Sequence, residues 1–401
     1  MPRADDPLLT AVRGFAAFWV FVYHAWLSVG PQLLILPIPG LPIDLTPLAS
    51  AGWAGVGVFY VLSGFLLWSV FDDWAMRRQA SPLLTTFAKR RALRILPPYY
   101  AQIALLAVLG LVTNWVEPPR AATLALNLTL THGFSFEHFQ AVNNVWWTLS
   151  IEAQFYVVLP LLAWSVRRYG WSATLAFVFA TMLAWRVAAF AVFRDAPIIE
   201  RVWILEQLPG RIDQFVLGMF ASHLARSPGG TGTRLRAWLR ERDAVRTLLV
   251  LVAPVALVAL AYLLHIGNFF LRYWAGHPWI YFWHFCAGLA AAISIYTIAI
   301  RADVTTAASR AWTRAAVAFG ITSYSFYLWH ELLLRWLGSA LKAALGEATL
   351  TAFAANFVLG FVVCLSVAVA WYFAFERPFL SVRARLRRKA SLGDEARALS
   401  R

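Results

Sequence analysis

The segment RGFAAFWVFVYH places Arg13 and His24 eleven residues apart in a stretch that is otherwise apolar. On an α-helix this spacing separates the two side chains by roughly 16 Å along the axis but by only about 20° around it, so both face the same side. A charged group at the centre of a membrane helix costs roughly 2.5 to 3.5 kcal/mol, and such groups persist mainly where they line a cavity or have partners. The pair therefore indicates a functional site within a hydrophobic protein.

Further ionisable residues lie in other apolar segments: Glu152 in WTLSIEAQFY, His330 in SYSFYLWH, and Arg211 with Asp213 in GRIDQFVLG. The membrane topology that the distribution of positive charge predicts puts all of them at a depth similar to that of His24. A neutral histidine beside a carboxylate can take a proton from a hydroxyl, while the carboxylate fixes the tautomer of the ring. We expect His24 and Glu152 to form such a pair; the alternative is hydrogen bonding between helices without chemistry.

A basic cluster, FAKRRALRILPPYY, contains Lys89, Arg90, Arg91 and Arg94. Guanidinium groups bind phosphate oxygens through two parallel hydrogen bonds, so this cluster could hold a donor that carries a nucleotide. The alternative is the ordinary excess of positive charge on cytoplasmic loops. The PPYY run predicts a turn of defined shape. Basic residues that only set the orientation of the protein in the membrane would not require such a turn.

Metal and thiol chemistry have weak support. His132, Glu137 and His138 lie in one predicted outer loop, but their spacing is not that of a metal site, and we expect a solvated loop and no bound metal. Cys286 and Cys364 fall in separate apolar segments, which indicates neither a disulfide framework nor a thiolate metal site.

Composition indicates the elements that must position these residues. Of 401 residues, 60% are hydrophobic and only 14% are charged, which predicts an all-α polytopic membrane protein. About ten transmembrane helices are expected, at residues 8–29, 52–71, 97–113, 145–165, 171–193, 209–225, 247–266, 280–300, 315–337 and 350–373. The glycines of WAGVGVFYVLSGFLL predict close helix packing in the second span, or else a cavity wall.

The distribution of positive charge sets the expected orientation. With the N-terminus inside, 26 of the 35 lysines and arginines fall on cytoplasmic segments and five on outer loops. Both termini are therefore expected to be cytoplasmic, with residues 1–376 forming the transmembrane domain and 377–401 a basic tail. The net charge of +15 is explained by this topology, without a nucleic-acid partner. Asp5 and Asp6 argue against a cleaved signal peptide.

In order along the chain, these motifs resemble the acyltransferase-3 family of integral-membrane O-acyltransferases, which includes O-antigen, exopolysaccharide and macrolide O-acyltransferases. The resemblance runs from RGFAAFWVFVYH through FYVLSGFLL, KRRALRILPPYY, WWTLSIEAQFY and GRIDQFVLG to SYSFYLWH and the closing FERP. The combination of motifs is specific, although each alone would be weak.

The resemblance implies transfer of an acyl group, most often acetyl, from cytoplasmic acyl-CoA to a hydroxyl of a glycan or lipid-linked sugar of the cell envelope. It implies His24 as the catalytic histidine and Arg13 as its essential partner. It also implies that Arg91 and Arg94, to which we add the adjacent Arg90, bind CoA. Acyl-CoA, the acceptor and the lipid bilayer are the expected partners, and the inner membrane is the expected location.

The remaining motif residues are assigned more broadly. We predict Glu152 as a third catalytic residue, and Arg211, Asp213 and His330 as substrate-binding residues. Trp147 closes an aromatic and amide-rich run, GFSFEHFQAVNNVWW, which could line a sugar site.

Geometry agrees with this interpretation. A nucleotide held at Arg91 and Arg94 stays cytoplasmic while a pantetheine arm of roughly 15 to 20 Å passes Arg13 and presents its thioester near His24, which we expect to act as the general base. A covalent acyl-histidine is the competing mechanism. The alternative functions are a proton-coupled transporter, a structural subunit of a polysaccharide synthase, and acylation of a small molecule such as a macrolide.

Overall fold

The computed structural model describes residues 6–30, 33–36, 38–112, 120–227, 230–266, 279–301 and 311–381. Within these ranges the chain is almost entirely helical, so the predicted all-α class is confirmed. Two short strands, Ile35–Leu36 and Ile43–Asp44, pair antiparallel in the connection that follows the first helix. The segment 382–401, most of the predicted basic tail, lies outside the described residues.

The described α-helices follow one another along the chain: α1 (Pro7–Ser28), α2 (Thr46–Ser50), α3 (Gly55–Trp68), α4 (Asp72–Ala75), α5 (Leu84–Val112), α6 (Ala121–Leu128), α7 (Trp147–Phe193), α8 (Ile198–Leu205), α9 (Leu208–Arg226), α10 (Gly230–Arg240), α11 (Asp243–Ile266), α12 (Trp279–Ala299), α13 (Ala311–Leu345) and α14 (Leu350–Trp371). Short 3-10 helices occur at Gly52–Ala54 and His132–Phe134, and a π-helical turn at Tyr372–Glu376 continues α14.

Six of the helices in the described part are long and apolar enough to cross a membrane, which supports a multi-pass membrane protein. Each of the ten predicted spans overlaps a described helix, but the number of crossings and the side of the termini stay predictions. Two predicted spans, 145–165 and 171–193, are the arms of α7, which turns back at Gly170. The turn has φ 80°, a value that favours glycine, and the Ser165 and Thr174 hydroxyls meet across it at 2.9 Å.

The basic cluster at residues 89–94 is helical, not a loop as predicted. Helix α5 begins at Leu84, well before the predicted start at residue 97, and it continues through Pro97 and Pro98. A proline removes one helical hydrogen bond but does not always end a helix, so the expected turn is wrong. The correction matters because Arg91 and Arg94 are three residues apart on one helix and therefore share a face.

Two glycine crossings hold the central helices together. Gly14 of α1 lies against Gly320 of α13, and where α3 crosses α9, Gly64 lies against the Phe215 backbone and Gly218 against the Val61 backbone. At each crossing a Cβ would collide with a backbone atom of the facing helix, so only glycine permits this approach. The predicted close packing of the second span is confirmed. Helix α3 packs on α1 and α9, and α13 packs on α1 and α14, so α1 lies between α3 and α13.

Candidate functional site

A partly open cavity lies among α1, α3, α5, α7 and α13. Its wall combines cations, a carboxylate, hydroxyls and apolar side chains: Arg13, Val56, Phe59, Tyr60, Ser63, Leu66, Leu67, Arg91, Arg94, Ile95, Thr148, Leu149, Glu152, Tyr156, Ser323, Tyr324 and Tyr327. The mixture suits an amphipathic chain better than a purely apolar one.

Three arginines mark one part of the cavity. Arg91 and Arg94 come from α5 and Arg13 from α1. Arg94 pairs with Glu376 at 3.2 Å, and the second oxygen of Glu376 accepts a hydrogen bond from Ser325. Within the described ranges, neither Arg13 nor Arg91 forms a salt bridge with a carboxylate. Guanidinium groups without a carboxylate in a salt bridge can bind phosphate.

Glu152 belongs to this part of the cavity and not to the depth of His24. Its Oε1 accepts hydrogen bonds from Ser63 at 2.9 Å and Tyr156 at 2.6 Å, and Glu152 interacts electrostatically with Arg13. The expected His24–Glu152 pair is therefore not what the structure shows. A count of residues along the chain could not predict this, because the partners of Glu152 come from α1 and α3 as well as from α7.

The cavity ends against Tyr327 in the direction of the histidines. The Tyr327 hydroxyl lies 2.9 Å from Thr148 Oγ1 and 3.3 Å from the Val145 carbonyl, which fix its ring. The ring packs edge-on against Phe59 and lies 5.4 Å from the ring of His330. Tyr327 thus both lines the cavity and contacts His330.

His24 and His330 meet beyond Tyr327, and neither lines the cavity. His330 Nε2 lies 3.1 Å from His24 Nδ1, and the ring centroids are 4.9 Å apart. His330 is fully buried, whereas His24 is partly exposed. Each ring also has a backbone carbonyl partner, Val20 for His24 and Tyr327 for His330.

Arg211 and Asp213 form buried ion pairs with other residues. Arg211 binds both carboxylate oxygens of Glu206, and Asp213 binds Arg186 at 3.0 and 3.1 Å. Arg186 also donates to the carbonyl of Gly210. Because each charge has an opposite charge, the structure gives both residues a role in helix packing, and their predicted contact with substrate stays a prediction.

Two other predicted residues lie outside the cavity wall. Arg90 is on α5 next to Arg91 but is rotated by about 100° from it, and it does not line the cavity. Trp147 begins α7 and packs against Phe139, with ring centroids 5.5 Å apart.

The outer-loop residues considered for metal do not converge. Glu137 pairs with Arg120, His138 hydrogen-bonds with Thr123, and His132 is buried. The described part of the chain contains no group of three or more His, Cys, Asp or Glu residues arranged to hold a metal ion. Burial lowers the pKa of His132 from its ordinary 6.5 to about 4.

Sequence reasoning missed several members of the site. Tyr156 and Tyr327 were not singled out, because a tyrosine in a membrane segment is unremarkable until its hydroxyl has a known partner. Arg186 had a usable signal, since a lone charge in an apolar span requires a buried counter-charge. The His24–His330 contact joins residues 306 positions apart, which no spacing along the chain reveals.

Comparison with known families gives one match across nearly the whole chain. The profile of the acyltransferase-3 family, described as an acyltransferase domain, matches residues 7–375. The match includes every residue of the cavity wall.

Curated proteins similar to this chain include three named for acyl transfer or polysaccharide production. The exopolysaccharide production protein ExoZ of Rhizobium meliloti (strain 1021) is 30% identical over 84% of this chain and 92% of its own length. The acyltransferase MdmB of Streptomyces mycarofaciens is 26% identical over 85% and 82%. The O-acetyltransferase OatA of Staphylococcus aureus (strain NCTC 8325 / PS 47) is 23% identical over 83% of this chain but only 51% of its own length. No solved structure matches the chain.

Proposed function

The chain belongs to the acyltransferase-3 family, and from this we propose that it transfers an acyl group, acetyl in the first instance, from cytoplasmic acyl-CoA to a hydroxyl of a cell-envelope glycan or lipid-linked sugar. In this proposal the protein lies in the inner membrane with Arg13, Arg91 and Arg94 on the cytoplasmic side of the cavity.

The observation that carries the proposal is the order of groups from α5 to the histidines. Arg91, Arg94 and Arg13 come first, then the tyrosine-lined cavity, then Tyr327 and the histidine pair. The phosphates of CoA suit the arginines, and the amides of a pantetheine arm suit tyrosine hydroxyls. Arg13 and His24 are roughly 16 Å apart along α1, which is the scale of that arm.

His24 is the general base of the proposed reaction. It accepts the proton of the acceptor hydroxyl as the hydroxyl oxygen attacks the thioester carbonyl carbon. The carbon–sulfur bond then breaks, the acyl group stays on the acceptor oxygen, and the imidazolium of His24 returns the proton to the CoA thiolate. Glu152 lies with the arginines, so we assign it to the donor side and not to His24.

A sugar acceptor is supported by the printed names of the relatives. One similar protein is named for exopolysaccharide production and another is an O-acetyltransferase. A third is named only as an acyltransferase, so acylation of a small molecule remains the alternative acceptor.

The proposal is tested with purified protein in nanodiscs, radiolabelled acetyl-CoA and an envelope glycan fraction from cells that lack the gene. We expect label to enter the glycan together with release of free CoA thiol. The variant His24→Ala should reduce transfer by about 100- to 10,000-fold, the range typical of a general base. His138→Ala, which alters an outer-loop histidine away from the cavity, is the matched control and should transfer normally.

Two results would overturn the proposal. Acyl transfer by His24→Ala at the wild-type rate would exclude His24 as the base. Absence of acetyl-CoA binding by the wild-type protein would exclude the donor.

A further inference from the structure

We propose that His330 is a positioning residue that fixes the neutral tautomer of His24 and leaves His24 Nε2 as the proton acceptor. This inference rests on the proposed function and deepens it, because it assigns to a second histidine the orienting task that sequence reasoning gave to Glu152. It also replaces the predicted role of His330 in substrate binding.

The first step concerns the proton on His330. Its Nδ1 lies 2.8 Å from the Tyr327 carbonyl oxygen. A carbonyl can only accept, so Nδ1 of His330 carries the hydrogen. In the neutral ring the other nitrogen, Nε2, is then an acceptor.

The second step transfers this constraint to His24. His330 Nε2 and His24 Nδ1 are 3.1 Å apart, and a hydrogen bond between them needs one hydrogen. Because His330 Nε2 has none, the hydrogen is on His24 Nδ1. The Val20 carbonyl, 3.0 Å from the same nitrogen, requires the same assignment. His24 Nε2 therefore has the free lone pair that a general base needs.

The third step is the rigidity of His330. Its ring is fully buried and stacks parallel to Phe326, with an interplanar angle of 2°. Its own carbonyl accepts from the Cys364 thiol at 3.7 Å. The preceding turn is held by Gln102 and Asn143, which both donate to the Leu328 carbonyl. These contacts from α5, α14 and the segment before α7 leave the ring little freedom to turn away from His24.

A neutral partner suits this place better than a carboxylate would. An unpaired carboxylate costs several kcal/mol to bury in an apolar interior, whereas a neutral imidazole acceptor costs far less. In the described part of the chain neither histidine forms a hydrogen bond or ion pair with a carboxylate. The orienting task is thus performed by a histidine and two backbone carbonyls.

The test compares His330→Gln, His330→Asn and His330→Phe in the nanodisc transfer assay, with kcat and the KM for acetyl-CoA measured separately. The glutamine amide reaches the position of Nε2, whereas the asparagine amide reaches only that of Nδ1. We expect His330→Phe and His330→Asn to lower kcat on the order of 100-fold with an unchanged KM, and His330→Gln to recover at least about tenfold of that loss.

A double variant separates positioning from structure. If His330 acts through His24, then His24→Ala/His330→Phe should be no slower than His24→Ala alone, because the effects of residues acting as one unit are not additive. Independent effects that multiply, or equal losses in the glutamine and asparagine variants, would overturn the inference. So would full activity of His330→Phe. If His24→Ala itself were fully active, the proposed function would fail as well, so the two failures are distinguishable.

Discussion

At the scale of residues, Arg13 and His24 share one face of α1 but belong to different surroundings. Arg13 lies with Glu152 and the arginines of α5, whereas His24 lies with His330 behind Tyr327. In the proposed function, one helix thus contributes a group for binding the donor and a group for the chemistry. Substitutions at the two positions should therefore separate into binding and rate effects.

Arg90 and Arg91 offer a matched pair of substitutions. They are adjacent and carry the same charge, but only Arg91 lines the cavity. We expect Arg91→Ala to weaken acetyl-CoA binding about 10- to 100-fold, since a hydrogen bond to a charged group contributes roughly 1.5 to 3 kcal/mol. Arg90→Ala should change binding by less than about threefold. Isothermal titration calorimetry at fixed ionic strength measures both, and equal effects would exclude Arg91 as a specific contact.

His132 predicts acid sensitivity of the segment before α7. Its pKa in the folded protein is about 4, below the 6.5 of an unfolded histidine. The unfolded segment therefore binds more protons between these values, so its stability falls as the pH decreases through this range, by up to about 3 kcal/mol. Hydrogen exchange of residues 120–146 at about pH 7 and about pH 4.5 measures the effect. His132→Gln should abolish it, while His138→Gln should not.

The residues of the site could be predicted from the sequence more readily than their partners. The motifs pointed to Arg13, Arg91, Arg94 and His24 as members of the site. Partners across helices depend on the rotation and depth of each helix, which periodicity does not fix. Glu152 shows the consequence, because its partners are Ser63 of α3 and Tyr156 of α7 and not the expected His24.

At the scale of elements, close helix crossings determine where the functional side chains lie. The Gly14–Gly320 crossing is adjacent to Arg13 on α1 and one turn from Ser323 and Tyr324 on α13. Any increase in the distance between α1 and α13 would widen the cavity and also separate His24 from His330. The sequence did predict close packing from the glycines of the second span, but it identified neither the Gly14–Gly320 crossing nor the helices that α3 contacts.

Gly320→Ala tests this crossing. The added Cβ would collide with the Thr10 carbonyl oxygen, a backbone atom that cannot move away alone. We expect a loss of about 1 to 3 kcal/mol in stability and reduced transfer activity. Gly360→Ala is the control, because its Cβ would meet only the end of the flexible Leu334 side chain. Thermal unfolding in detergent ranks the variants, and equal stability of both would contradict the crossing.

The Arg186–Asp213 pair joins the second arm of α7 to α9. Both side chains are buried, so Arg186→Met alone leaves an unpaired carboxylate and should cost about 3 to 5 kcal/mol. The double variant Arg186→Met/Asp213→Leu should recover most of that stability. The KM of the double variant for the acceptor separately tests the predicted contact of Asp213 with substrate. A folded double variant with a greatly raised KM would show instead that Asp213 contacts substrate.

At the scale of the whole molecule, the charge distribution predicts one orientation of the cavity. Arg91 and Arg94 lie on α5, in a segment that this distribution predicts to be cytoplasmic, and Arg13 lies on α1. The all-α class could be obtained from composition and hydropathy, and each predicted span overlaps a described helix, while the number of crossings stays a prediction. The order of groups through the protein could not, because it results from the packing of five helices that are distant in sequence.

Reporter fusions test the orientation. Because 26 of the 35 basic residues lie on one predicted side, green fluorescent protein at the C-terminus should fluoresce and alkaline phosphatase there should be inactive. Alkaline phosphatase inserted at Gly346, between α13 and α14, should be active. The reverse pattern would place the arginines of the cavity outside, away from cytoplasmic acyl-CoA.

Tyr327 has a consequence for the energetics of the cell. A path that lets a cofactor arm reach across a membrane is also a route by which protons could leak and discharge the gradient that drives ATP synthesis. The Tyr327 ring, held by Thr148 and packed on Phe59, lines the cavity and also contacts the ring of His330. If the cavity holds the donor as proposed, this side chain stands where such a leak would have to pass.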